Sequence, residues 1–151
     1  MTERYALDTN VLLRLSHSSH PLHGLLSDCM VHLAANDVEL CFTTQNLGEF
    51  WNVSTRSPDR NGFGLPIQEV ARRFEALVHK MTLLPETEEI YSVWLRLLQS
   101  HEVRGVQVHD AHLAAVLEVH QVTHLLTFNG ADFKRFPHIV AVHPQDLVGN
   151  G

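Results

Sequence analysis

Five short apolar runs limit what this chain can become: Tyr5-Ala6-Leu7, Leu40-Cys41-Phe42-Thr43, Thr82-Leu83-Leu84, His124-Leu125-Leu126-Thr127 and Ile139-Val140-Ala141-Val142. Each is too short for a helix, and most of the intervals between them carry apolar residues at helical spacing. After Pro21, the residues Leu22, Leu25, Leu26, Cys29, Met30 and Leu33 share one face. After Pro66, a second stripe holds Ile67, Val70, Phe74, Leu77, Val78 and Met81, and Ile90, Val93, Trp94, Leu97 and Leu98 make a third. Asp110 reads as the opening of a small-residue helix with Ala111, Ala114 and Ala115. Strands separated by helices need crossover connections, which make neighbouring strands parallel. The predicted fold is therefore an α/β protein, a three-layer α/β/α sandwich with a central, mainly parallel five-stranded sheet. With 151 residues and no linker, repeat or low-complexity tract, a single domain over 1–151 is expected.

Acids recur where these elements end. Asp8 follows the first apolar run and precedes a helical pattern, so it belongs at the carboxyl end of a buried strand, where open α/β sheets bind ligands. Glu49 falls one turn inside a helix beside Leu47, Phe50 and Val53, where a carboxylate loses hydration unless a partner compensates. Asp110 shares a helix face with Leu113, Ala114 and Leu117, and Asp132 follows the fourth strand. Each acid has a plainer reading as a helix cap that accepts backbone N–H bonds. Asp110 is the strongest capping candidate, and Asp132 is readable as the N-cap of a short Phe133–Phe136 turn.

Carboxylates gathered without compensation would raise one another's pKa values until protons replaced the missing charge. A hard divalent cation is the usual alternative, and all-oxygen ligation favours Mg2+ or Mn2+ over zinc. Such a site meets substrate phosphate and points to phosphodiester hydrolysis. The net charge of -6 argues against a surface that coats nucleic acid generally. Cations bound by the acids would reverse the local sign and leave Arg56, Arg60, Arg72, Arg73 and Arg104 to meet phosphate. Cys29 and Cys41 lie in apolar periodic segments and read as reduced core residues. The opening residues carry no signal-peptide pattern and no run is long enough to span a bilayer, so a cytoplasmic protein without membrane contact is expected.

The ordered set Asp8-Thr9-Asn10, Glu49, Asp110-Ala111 followed by Ala114-Ala115, and Thr127-Phe128-Asn129 with Asp132-Phe133 resembles the PIN-domain nucleases. It is most similar to the VapC-type toxins of bacterial toxin–antitoxin pairs, and the similarity runs through the closing His143–Leu147 segment. The resemblance implies a metal-dependent endoribonuclease with Asp8, Glu49, Asp110 and Asp132 as catalytic metal-binding acids and Mg2+ or Mn2+ as cofactor. It implies Asn10 and Thr127 as supporting residues that orient the acids or bound water. Where the family often has an acid this chain has Asn129, which would join through its amide oxygen or leave Asp132 to act alone. The implied substrate is RNA, cut to 5′-phosphate and 3′-hydroxyl ends, and the implied partners are a cognate antitoxin protein and a second copy in a homodimer.

Other residues invite further expectations. The stretch 57–64 is dense in turn formers and is predicted to be an exposed, mobile loop, with Arg60 placed to hold a phosphate and Phe63 to stack a base. His109 and His112 flank Asp110 and are candidates for touching substrate phosphate. The spacing of His17, His20 and His23 raises a transition-metal site, although Pro21 interrupts it. Two rival functions are a haloacid-dehalogenase-like phosphohydrolase with Asp8 as covalent nucleophile and a catalytically inactive PIN-like module that binds RNA or protein. The first expects a second Asp at the position of Asn10 and a dedicated lysine, and the chain has only Lys80 and Lys134.

Overall fold

The computed structural model describes residues 2–148. In chain order its main elements are β1 (Arg4–Leu7), α1 (Thr9–Leu15), α2 (His23–Ala35), β2 (Glu39–Thr43), α3 (Thr44–Thr55), α4 (Ile67–Val78), β3 (Thr82–Leu84), α5 (Glu88–Ser100), α6 (Val108–Val119), β4 (His124–Leu126), β5 (Val140–Val142) and α7 (Pro144–Val148). Short 3-10 turns occupy Pro58–Arg60, Gly105–Gln107 and Gly130–Phe133. The sheet order is β3-β2-β1-β4-β5, and every pairing is parallel. The terminal residues of the expected 1–151 domain lie outside the described residues.

Side chains alternate across a strand, so each strand feeds two cores. Ala6, Cys41, Leu84 and Leu125 turn to one face, where Ile90 and Leu97 of α5 and Leu113 and Leu117 of α6 cover them. Tyr5, Leu7 and Leu126 turn to the other, against Val11, Leu12, Leu26, Leu33, Phe50, Val70 and Phe74 from α1 to α4. Both cysteines are buried and free, and burial pushes each thiol up to about 11. Among the described residues no helix is long and apolar enough to cross a membrane.

The topology decides where a site can lie. From central β1 the chain moves to β2 on one side and, much later, to β4 on the other, which opens a crevice beyond the carboxyl ends of these strands. The segments that leave those ends carry Asp8, then Thr43 to Glu49, then Thr127 to Asp132.

The boundaries differ from expectation at three places. Asp110 does not open its helix: α6 starts two residues earlier, with Gln107 as a cap residue that makes no side-chain capping bond. Asp132 is not the cap of a following turn but lies inside the Gly130–Phe133 turn, which starts after Asn129. The 57–64 segment is exposed, but hydrogen bonds tie it to α3: Phe63 N donates to Val53 O at 3.0 Å, Gly64 N to Arg56 O at 2.9 Å, and Leu65 N to Ser54 O at 2.9 Å. The turn formers bend the chain back onto the helix end instead of freeing it, and Gly62 is needed there because a Cβ would lie 2.1 Å from Arg56 O.

Candidate metal centre

Asp8 is held before anything else reaches it. Its backbone N–H extends the sheet by donating to Leu126 O at 3.0 Å, and its φ of -73° and ψ of 155° place it as the N-cap of α1. Oδ1 accepts from Thr9 N at 2.9 Å, so the plain capping role is real. Oδ2 has a different duty. It accepts from the Thr127 hydroxyl at 2.7 Å and from Asn10 Nδ2 at 3.4 Å. Thr127 is buried, and its hydroxyl oxygen also accepts from Asn129 N at 3.0 Å, which leaves the single proton directed at Asp8. Asn10 Oδ1 accepts from Phe128 N at 3.4 Å, joining α1 to the segment that leaves β4. The carboxyl of Asp8 is raised above its ordinary value, first by burial and then by the nearby Asp132 charge, against the lowering pull of Thr127 and Thr9.

The other acids belong to the same electrostatic site. Asp110 is pushed up to about 6, first by burial and then by the charges of Asp132, Asp8 and Glu49, with His109 acting the other way. An acid in the first turn of a helix is ordinarily favoured as an anion. Its upward displacement means that desolvation and crowding of like charge outweigh the helix end. Glu49 is raised by partial burial and by Asp8, and lowered by Gln45, His109 and His112, although the residue as a whole stays exposed. Asp132 is exposed on its 3-10 turn.

Two residues that sequence reasoning passed over set the relation between Asp8 and Glu49. Asn46 is buried at 2% exposure and forms a reciprocal capping box with Thr43, while its Nδ2 donates to Leu7 O at 3.2 Å and to Thr9 Oγ1 at 3.0 Å. It therefore fastens the start of α3 to the end of β1. Gln45 Nε2 donates to Glu49 Oε1 at 2.7 Å and to His109 O at 3.2 Å, and its Oε1 lies 2.5 Å from His112 Nδ1. The Thr43-x-x-Asn46 spacing was a readable cap signal. The reach of Asn46 to β1 was not.

The histidine candidates separate. His112 has both ring nitrogens engaged, Nδ1 by Gln45 and Nε2 by Glu86 at 2.9 Å, and its ring meets Trp94 edge-on with centroids 4.5 Å apart. His109 is exposed near Asp110 and Glu49. The 17-20-23 set does not assemble: Arg73 Nη1 faces His17 Nδ1 at 3.3 Å, and His20 Nδ1 accepts from Leu22 N at 3.0 Å. Arg60 is exposed, and Phe63 packs on His17 with ring centroids 3.9 Å apart.

The donor chemistry of the four acids suits a hard divalent cation, since the set is carboxylate oxygen and its members oppose one another's ionisation. Among the described residues, no three His, Cys, Asp or Glu side chains are already close enough to hold an ion. The acids share a field without yet sharing a ligand shell.

The PIN domain family model matches residues 5–139. No curated protein matches the chain in sequence. Among solved structures, the fold is similar to a chain of VapBC2 from Rickettsia felis, bound to a DNA fragment from their promoter, with a TM-score of 0.69 and 16% identity over 93% of this chain and 98% of that one. It is also similar to VapC20 of Mycobacterium tuberculosis, a Sarcin-Ricin loop cleaving toxin, with a TM-score of 0.62 and 18% identity over 85% and 92%. A toxin-antitoxin complex from Klebsiella pneumoniae gives a TM-score of 0.63 and 19% identity over 93% and 97%. At such identities the likeness is one of fold, whereas the family match spans most of the chain, with strands β2, β3 and β4, Asp8, Glu49, Asp110 and Asp132, and the bridges of Asn10 and Thr127: the chain belongs to the PIN-domain family.

Proposed function

We propose that this protein is a divalent-metal-dependent endoribonuclease that hydrolyses RNA phosphodiester bonds, as the toxin of a type II toxin–antitoxin pair. The observation that carries the reading is that Asp8, Glu49 and Asp110 are gathered where burial, and after it the charge of neighbouring acids, raises all three, Asp110 up to about 6. Carboxylates kept together at that cost are best explained by a cation that removes it.

Asp8, Glu49, Asp110 and Asp132 would hold Mg2+ or Mn2+. When bound, that ion supplies Lewis-acid activation of water and offsets charge on the phosphate. The chain contributes preorganisation. Thr127 and Asn10 both donate to Oδ2 of Asp8 and orient it, and the Thr127 bond works against the upward push of burial. Gln45 fixes one oxygen of Glu49 and leaves the other to take a proton or place a water. Among the described residues, the hydrogen-bond partners of the Asp8 carboxylate are Thr9, Asn10 and Thr127, with no lysine of the kind a covalent Asp8 nucleophile requires. The similarity to a toxin-antitoxin complex supports a cognate antitoxin, and we extend the proposal to a homodimer. Sizing the purified chain alone and with the product of its neighbouring gene tests both.

Incubation of single-stranded RNA with the protein, with and without Mg2+ or Mn2+, should give cleavage only with the ion, and Asp8→Asn should abolish it. Cleavage by Asp8→Asn at the wild-type rate overturns the chemistry. RNA binding without cleavage under every condition would favour the inactive module.

A further inference from the structure

Among the described residues, four side-chain atoms are buried without a hydrogen-bond partner: Arg14 Nε, His17 Nε2, Ser54 Oγ and Arg56 Nε. Arg14, His17 and Arg56 line one cleft of about 300 Å³, together with Asn10 and Phe63. All three unpaired nitrogens are donors. A guanidinium has no acceptor, so His17 Nδ1 must accept from Arg73, and the ring proton sits on Nε2. Burial and the Arg73 charge also hold His17 below its ordinary pKa, consistent with that neutral tautomer. The cleft is lined by guanidinium and imidazole side chains and by no carboxylate.

Its charge is also uncompensated. Among the described residues, neither Arg14 nor Arg56 is paired with a carboxylate, whereas Arg72 and Arg73 share Glu69, and Arg96 pairs with Glu118. Arg14 is preset: Nη1 donates to Asn10 O at 3.0 Å, and the guanidinium lies 4.5 Å over the Phe128 ring. Asn10 forms the wall between this cleft and the acids, because its Nδ2 reaches Asp8. Phe63, packed against His17 with the rings tilted by 33° and still 42% exposed, gives a flat apolar platform at the rim.

We propose that this cleft is a nucleotide subsite for the substrate strand, in which Arg14 and Arg56 hold the phosphodiester next to the scissile one and Phe63 stacks a base. The proposal rests on the ribonuclease reading and adds to it where the strand runs. Guanidinium forks match phosphate oxygens, and an aromatic face accepts any base. An acidic polypeptide would satisfy the cations but would make no use of the platform, so RNA is the occupant the cleft favours. Arg60 lies outside this cleft.

The test is fluorescence anisotropy of a labelled, unstructured single-stranded RNA oligonucleotide, titrated in EDTA across a salt series, so that binding is scored without cleavage. Arg14→Gln and Arg56→Gln should each weaken binding and lower the slope of log K against log salt by about 0.7, the amount for one phosphate contact on a single strand. Arg14→Lys should restore the slope, which a merely misfolded variant would not show. Phe63→Ala should weaken binding with the slope kept. Arg96→Gln removes the same charge from α5 and should bind normally. If the wild type binds and cleaves RNA while Arg14→Gln and Arg56→Gln match it in affinity and slope, the subsite is wrong and the ribonuclease reading stands. The subsite is equally wrong if these two variants lose an acidic polypeptide but keep RNA. If the wild type binds no RNA in EDTA, the subsite is wrong; if it also cleaves none with Mg2+ or Mn2+, both readings fail together.

Discussion

Replacing Asp110 by Asn should abolish metal-dependent cleavage yet make the metal-free protein more stable. In the folded chain this carboxyl sits at about 6 against an ordinary 3.8, a displacement equivalent to roughly 3 kcal/mol at about 1.36 kcal/mol per pH unit. Asp110 is only partly buried, and solvent screening reduces that to on the order of 1–2 kcal/mol. Losing an acid from the first turn of α6 costs about 0.3–1 kcal/mol in the opposite sense. The net gain is about 1 kcal/mol, which for a chain of this size is a Tm rise of about 2–4 °C. The sign with pH follows from which state holds the proton. An acid with a raised folded-state pKa binds its proton more tightly when folded, so its penalty is absent below about 3.8, grows as pH approaches 6 and is complete above it. Thermal melts in EDTA should therefore show Asp110→Asn above wild type near neutrality, with the gap closing as pH falls towards 4. Mn2+ should raise the wild-type Tm by mass action and leave the variant nearly unmoved. A variant that melts below wild type at neutral pH in EDTA, or a gap that does not narrow on acidification, refutes the penalty assigned to burial and crowded charge at Asp110.

Thr127→Val removes a buried charge-assisted bond worth about 1.5–3 kcal/mol to ionised Asp8, so the acid limb of the cleavage pH profile should move up by about 1 pH unit while the fold is retained. An unmoved limb would mean that Asp8 ionisation does not control the rate. Gln45→Leu frees Glu49 Oε1 and should weaken Mn2+ binding by about tenfold in calorimetry; unchanged affinity would remove Glu49 from the metal site. Gly62→Ala forces a Cβ into Arg56 O and should lower stability by about 1–3 kcal/mol in urea denaturation, and an unchanged midpoint would show that this loop gives way easily.

The acids at strand ends could be read from the sequence because a buried strand running into a carboxylate is a one-dimensional pattern, and Asp8 after Tyr5-Ala6-Leu7 has it in full. The start of α6 could not, because Gln107 gives no capping signal and Asp110 imitates one. Asp132 misled for a similar reason, since a 3-10 turn that starts after Asn129 contains an acid as easily as it follows one. Asn46 looked like an ordinary polar residue early in a helix; its value lies in reaching β1, which depends on β1 and β2 being neighbours. The placement of Arg14 over Phe128 likewise needs α1 and the segment after β4 to meet, and no local spacing reports that.

The bond from Thr127 to Asp8 spans 119 positions of the chain, and β1 stands in the middle of the sheet with β4 as its later neighbour. A growing polypeptide thus displays Asp8 and Glu49 early, while the hydroxyl that orients Asp8 is added 119 positions after it. Any nascent piece that stops short of Thr127 therefore carries Asp8 without the hydroxyl that orients it, and the site takes shape only once β4 and the segment after it have joined the sheet.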